Sequence, residues 1–218
     1  MMADKFDLAR YIDHTLLKPE ATRADIEKLC AEARRYSFAA VCVNPVYVKP
    51  AARYLRGSSV GLCAVVGFPL GAAGAAVKAF ETERAVADGA SEIDMVAHIG
   101  ALKEGREESL LEEIAAVVRA ASGRPVKVIL ETALLSDGEK ITACRAARQG
   151  GAKFVKTSTG FGPGGATARD VRLLKEAVGT GLEVKASGGV RTREAALEMI
   201  AAGAARIGTS SGVVIIGG

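Results

Sequence analysis

Two periodicities alternate along this chain, and that alternation constrains its fold more than any other feature. Short runs rich in β-branched residues recur at 12–17, 39–44, 60–68, 92–99, 126–133, 154–159, 182–187 and 206–210. Between them, apolar residues fall three and four apart: Ile26, Leu29, Cys30 and Ala33 make one stripe, and Leu110, Leu111, Ile114, Val117 and Val118 another. Strand-like and helix-like segments in strict alternation predict a parallel sheet with right-handed crossovers. Eight such units predict closure, giving a single-domain α/β protein, a (β/α)8 TIM barrel over residues 1–218. An open doubly wound sheet is the alternative, but no G-x-G-x-x-G fingerprint follows the first strand. Only residues 212–218 follow the eighth strand, so a full eighth helix is not expected there, and a partner subunit could cover that face.

The helix boundaries carry their own signals. Thr22 and Thr192 stand where a side-chain oxygen would accept a hydrogen bond from an orphan amide of the first turn. A Gly-Ala step recurs just before a strand, at Gly89-Ala90, Gly151-Ala152 and Gly203-Ala204. Glycine there tolerates the left-handed conformation that ends a helix.

Composition narrows the possible partners. Aromatic residues are 5 % and Trp is absent while hydrophobic residues reach 49 %, so the core must be packed from Ala, Val, Ile and Leu. The 29 basic and 25 acidic residues are interspersed, with no basic run or aromatic-basic stripe, which argues against nucleic acid. Cys30, Cys42, Cys63 and Cys144 are widely spaced with no C-x-x-C pair, so they read as buried free thiols and not as metal ligands. The charged segment that opens the chain has no apolar core of a secretion signal, and no stretch approaches the ~20 apolar residues that span a bilayer. A cytoplasmic protein with no membrane partner is expected.

Charges inside strands that should be dry are the informative positions. Barrel strands alternate between a helix-facing side and an axis-facing side. Ile93 and Met95 suit the helices, which turns Asp94 inward; Val155 and Thr157 share one face, Lys156 and Ser158 the other; Lys185 and Ser187 lie opposite Val184. Lys127 and Lys153, near strand ends, read as snorkelling side chains. One inward lysine with Asp94 would be a structural ion pair, but such a pair needs no second ammonium.

A second ammonium has a chemical use. A lysine attacks a carbonyl only as the neutral amine, and the unperturbed pKa is ~10.4. Two like charges ~4.5 Å apart at an effective dielectric of ~20 repel by roughly 3.5–4 kcal/mol. That repulsion is worth about 2.5–3 pKa units, to which desolvation adds. Asp94 would oppose the effect on whichever lysine it touches, so it is expected beside a water or beside the proton-relaying lysine. The Gly-rich stretches 187–190 and 208–212 follow the last two strands, where barrels of this kind often hold phosphate.

Several motifs carry a family resemblance. They are IDHTLL at 12–17, VVGFPLG at 65–71, EIDMV at 92–96, FVKTSTG at 154–160, VKASGGVR at 184–191 and IGTSS at 207–211. Together they resemble the deoxyribose-phosphate aldolases, from about Ile12 to the C-terminus. The resemblance implies a class I aldolase, a carbon–carbon lyase of deoxyribose phosphate breakdown. It would reversibly cleave 2-deoxy-D-ribose 5-phosphate to D-glyceraldehyde 3-phosphate and acetaldehyde, with no metal or other cofactor. It further implies that Lys156 forms the imine, that Lys185 is the neighbouring ammonium, and that Asp94 joins it in proton transfer. Thr157, Gly188, Gly189, Ser210 and Ser211 are implied to bind the substrate. Asp13 would either line the substrate hydroxyl pocket or cap the barrel floor, and Glu131 would orient Lys156 or a water. Some relatives have a basic residue where this chain has Phe161, so phosphate would rest on backbone amides and the two serine hydroxyls. His14 and His98 read as hydrogen-bonded structural residues. A homo-oligomer, dimer or tetramer, is expected. Two other readings of the same barrel are a sugar-phosphate isomerase or epimerase using Asp94 as base, and a non-catalytic barrel that binds phosphorylated metabolites.

Overall fold

The computed structural model describes residues 7–217; Met1–Phe6 of the charged opening segment, and Gly218, lie outside the described residues. Eight parallel strands pair in chain order and close on themselves: β1 (Ile12–Leu16), β2 (Ala40–Val43), β3 (Gly61–Val66), β4 (Glu92–Val96), β5 (Val126–Ile129), β6 (Phe154–Lys156), β7 (Glu183–Ser187) and β8 (Arg206–Thr209). The barrel and all eight strand positions match the sequence reading. Most strands stop earlier than the apolar runs do. Val60–Phe68 narrows to Gly61–Val66 because Gly67 turns the chain at φ 62°, and β5 ends just short of Glu131, at φ 53°. Several residues beyond the strand ends, among them Leu17, Ala97, Leu130 and Thr157, stay buried, so their composition still looks like strand.

Helices α1 (Arg23–Arg35), α2 (Val48–Tyr54), α3 (Ala75–Ala87), α4 (Ile99–Lys103), α5 (Glu107–Ala120), α6 (Asp137–Gln149), α7 (Ala168–Val178), α8 (Arg193–Ala201) and α9 (Gly212–Ile215) form the outer layer. The expected caps are present. Thr22 and Asp25 form a reciprocal capping box, and the Thr192 side chain accepts from the Ala195 N–H. The three Gly-Ala steps end α3, α6 and α8, with each glycine at positive φ. The alanine N–H groups reach back to Ala85, Ala147 and Met199 carbonyls at 2.9, 3.0 and 3.0 Å. After β8 comes the four-residue α9, whose Ile215 is fully buried.

Between strands and helices lies a continuous shell of Val, Ile, Leu and Ala. The barrel interior is divided. Leu17, Cys42, Cys63 and Val65, with Phe68 against them, fill one part with apolar groups. Charged side chains fill the rest. All four cysteines are free and buried, as expected.

A buried ion pair outside the barrel joins two helices to the loops. Lys78 on α3 donates to Glu113 on α5 at 2.6 Å, and to the Gly71 and Val96 carbonyls at 2.8 Å each. The other Glu113 oxygen accepts from the His98 N–H at 3.2 Å. Burial pushes the Lys78 amine down from its ordinary value, an effect that Glu113 opposes. The pair ties the loops after β3 and β4 to two helices. Removing one partner strands a charge in a dry site, so Glu113→Ala is expected to cost about 3–5 kcal/mol in urea unfolding. Lys78→Met combined with Glu113→Leu should recover most of that loss.

Candidate active site

The register of the parallel strands decides which inward side chains meet. Asp94 on β4 pairs with Lys127 on β5, Lys156 on β6 with Lys185 on β7, and Lys185 with Arg206 on β8. All lie on the axis side, and with Asp13 of β1 they form one charged cluster drawn from six strands. Asp94 is its centre and is fully buried. Its Oδ2 accepts from the Nζ of Lys156 and of Lys185, each at 2.8 Å. Its Oδ1 accepts from Lys127 and from the Cys63 thiol, both at 2.9 Å.

The cations have unequal numbers of partners. Lys185 also reaches Asp13 Oδ2 at 2.6 Å, and Lys127 reaches Glu92 Oε2 at 2.5 Å. Arg206 bridges Asp13 and Glu92. Lys156 touches Asp94 alone among the carboxylates of the cluster. Four bases therefore face three acids.

The field within the cluster is strong. Burial alone would raise the Asp94 carboxyl, but Lys127, Lys156, Lys185 and the Cys63 thiol hold it well below the usual range. Asp13 behaves likewise: burial opposes ionisation, yet Lys185, Lys127 and Arg206 bring it down to about 2. Burial also disfavours the charged Lys185, but Asp13 and Asp94 outweigh it and raise the amine above its ordinary value. Asp94 was expected beside a single lysine or a water. It touches both lysines, so it offsets part of the repulsion that Lys185 exerts on Lys156.

A cavity of about 320 Å³ opens above this cluster at the C-terminal ends of β1, β6, β7 and β8. Lys156 is the one lysine of the cluster that lines it. Gly188, Gly189 and Ser210 form its far wall, as the sequence suggested. Ser211 does not line it, facing instead a second cleft between α1 and α9 that holds none of the three lysines. Thr157 is turned to the helix side, where its hydroxyl donates to the Ser187 carbonyl and accepts from the Ser187 N–H, both at 3.0 Å. Asp13 is buried with Lys185 and Arg206 and does not line the cavity. Glu131 reaches neither Lys156 nor the cavity; it accepts from Thr159. Phe161 lines the cavity mouth and packs edge-on against Phe68, centroids 5.4 Å apart. His14 is structural, its Nε2 2.8 Å from Glu32, and His98 enters through its backbone N–H.

Sequence reasoning missed four cations, one of them Arg206, which bridges Asp13 and Glu92. Lys127 is no snorkelling residue: it is fully buried and bound to two carboxylates. The alternation of outward Val126 and Val128 was the available signal. Lys18 and Arg191 also line the cavity. Exposed loop charges carry no periodicity, so nothing in the sequence distinguished these two from solvated ones.

Comparison with known proteins agrees with this architecture. Residues 8–216 match the model of the DeoC/LacD family aldolases. The chain belongs to that family. It is 60 % identical over 211 residues to deoxyribose-phosphate aldolase of Bdellovibrio bacteriovorus, covering 97 % of this chain and 96 % of the relative. It is 57 % identical over 221 residues to the enzyme of that name from Carboxydothermus hydrogenoformans, covering 100 % and 97 %. Among solved structures, the deoxyribose phosphate aldolase of Aeropyrum pernix, described as having a unique tetrameric structure, superposes with a TM-score of 0.91 at 38 % identity, covering 96 % and 89 %.

The buried cluster of this aldolase makes its stability acid-sensitive. Asp13 is ionised down to about 2 in the fold and has an ordinary value of 3.8. A depressed carboxyl contributes stability in full above its unfolded value and loses it as pH falls through the folded one. Melting temperature should therefore fall as the pH is lowered from about 4 to about 2. Asp13→Asn should start from a lower value and show a shallower fall over that window.

Proposed function

We propose that this chain cleaves 2-deoxy-D-ribose 5-phosphate to D-glyceraldehyde 3-phosphate and acetaldehyde, reversibly, through an imine on Lys156. The observation that carries this reading is the position of Lys156. It is the cation of the cluster with a single carboxylate partner, and it opens onto the cavity. In a dry cluster with one more base than acids, the surplus is relieved when one amine is neutral. Lys156 is the amine least held by carboxylates, and it alone of the three lysines opens to the cavity where a carbonyl can reach it.

The steps balance with substrate, amine and water. Lys156 attacks the C1 aldehyde of the open-chain sugar and water leaves, giving an iminium. The C3 hydroxyl gives up its proton as the C2–C3 bond breaks, and the electron pair of that bond moves into an enamine. The aldehyde product departs, C2 is protonated, and water hydrolyses the imine to release acetaldehyde and the amine. Asp94, which accepts from both Lys156 and Lys185, would carry these protons together with Lys185. The phosphate lies at the Gly188-Gly189 and Ser210 end, where loop amides and Arg191 and Lys18 line the same cavity.

Self-association into a dimer or tetramer is part of this reading. The relative from Aeropyrum pernix is described as tetrameric, and this chain exposes Val77 and Phe80, three apart on α3, and Leu70 in the loop before it. The free cysteines suit the reducing cytoplasm. Among the described residues no helix is long and apolar enough to cross a membrane.

Borohydride added in the presence of acetaldehyde should fix a two-carbon adduct on Lys156, found by peptide mass mapping. Turnover of sugar phosphate by a protein that takes up no such adduct would refute the imine. Lys156→Ala should reduce cleavage to the detection limit. Lys185→Leu should lose most of the activity and shift its pH–rate profile upward, because Asp94 is then shared by one fewer cation.

A further inference from the structure

Glu131 is energetically expensive where it stands. It is a non-glycine residue at φ 53° and ψ 62°, in the left-handed region. Its side chain is buried to 4 % exposure, with no ammonium or guanidinium bonded to it among the described residues. Oε1 is buried with no hydrogen-bond partner there. Strain of this kind is costly and persists only where the surroundings enforce it. A buried orphan oxygen adds to that cost.

What the residue holds is the loop between β6 and α7. Oε2 accepts both the Thr159 N–H, at 3.2 Å, and the Thr159 hydroxyl. The same hydroxyl oxygen accepts from the Phe161 N–H at 3.0 Å. Gly162 lies directly over the carboxyl group, so close that a Cβ there would fall 2.7 Å from Glu131 Cδ. The loop is held at its other end by the Ala166 N–H, which donates to the Gly188 carbonyl at 3.0 Å. Thr159, Gly160, Phe161 and Gly188 all line the cavity, whereas Glu131 and Gly162 do not. One carboxylate behind the wall is thus linked, through a single loop, to the Gly-Gly turn assigned above to the phosphate.

We infer that Glu131 is a positioning residue for phosphorylated substrate: it clamps the β6–α7 loop through Thr159 and so sets the wall that joins Lys156 to the Gly188-Gly189 turn. This rests on the aldolase reading above. The clamp acts on where the phosphate end of the substrate sits and not on the amine, so its loss separates binding from chemistry.

The experiment compares cleavage of 2-deoxyribose 5-phosphate and of unphosphorylated 2-deoxyribose by the parent and three variants. Glu131→Ala should raise KM for the phosphorylated sugar roughly tenfold or more, since small misplacements cost that much. Its kcat and pH–rate profile should stay close to the parent's, and kcat/KM for 2-deoxyribose should change little. Glu131→Gln keeps an acceptor for the Thr159 N–H and should recover most of the affinity. Gly162→Ala leaves Glu131 in place but drives a methyl group against its carboxyl, and should raise KM for the phosphorylated sugar in the same sense even if Glu131→Ala does not fold. An unchanged KM in both Glu131→Ala and Gly162→Ala overturns the clamp. A fall in kcat with a displaced pH profile in Glu131→Gln overturns it too, by making the carboxyl a proton carrier. A parent that cleaves neither sugar refutes the aldolase reading itself and is recognised before any variant is compared.

Discussion

A single carboxylate shared by three ammonium groups is the interaction on which the rest depends. Asp94 is sealed from water, and each of its oxygens accepts two hydrogen bonds. Removing charges from water is tolerable only when they compensate one another at close range, with donors and acceptors matched. Here the match is incomplete by one charge. Lys127, Lys185 and Arg206 each lean on two carboxylates and Lys156 on one. The imbalance falls at Lys156, where the cluster meets the cavity. The repulsion of one lysine by another is only part of this account; the sharing of Asp94 decides which amine is left short of countercharge.

The scaffold makes that arrangement possible because its seven charged groups come from six strands, with Glu92 and Asp94 sharing β4. Parallel register brings neighbours of the same inward parity side by side, and the closed barrel brings Asp13 on the first strand under Lys185 on the seventh. Rigidity comes from the aliphatic shell between strands and helices, and from the apolar filling of the barrel around Cys42 and Cys63. Loops at the C-terminal ends are held by buried polar ties of their own. Lys78 with Glu113 secures the segments after β3 and β4, and Glu131 secures the segment after β6. These ties let loops carry glycine-rich, anion-ready backbone without losing their shape.

Some of the site was legible before any coordinates, and the reason is parity. Asp94, Lys156 and Lys185 lie between residues that suit a helix-facing surface, so their inward direction follows from the strand alone. The same rule applied to Lys127, but a lysine near a strand end reads as snorkelling, and only its buried contacts with Glu92 and Asp94 show otherwise. Thr157 belongs to a lysine motif yet points away from the cavity, which its parity with Val155 already indicated. Glu131 gave no local sign of its role, because its partner Thr159 is 28 positions away. Lys18 and Arg191 were invisible as cavity residues for the same reason: side chains on loops are placed by packing and not by a repeat.

The order of elements, the helix caps, the glycine stops and the inward direction of three charged side chains were determined by the sequence by itself, since each depends on sterics and hydrogen bonding within a few residues. Tertiary structure alone decided which carboxylate each cation touches, which amine faces the cavity and which loop charges border it. Those outcomes depend on the stagger and closure of eight strands, where groups far apart in the chain are brought within hydrogen-bonding distance, and no local pattern encodes such a separation.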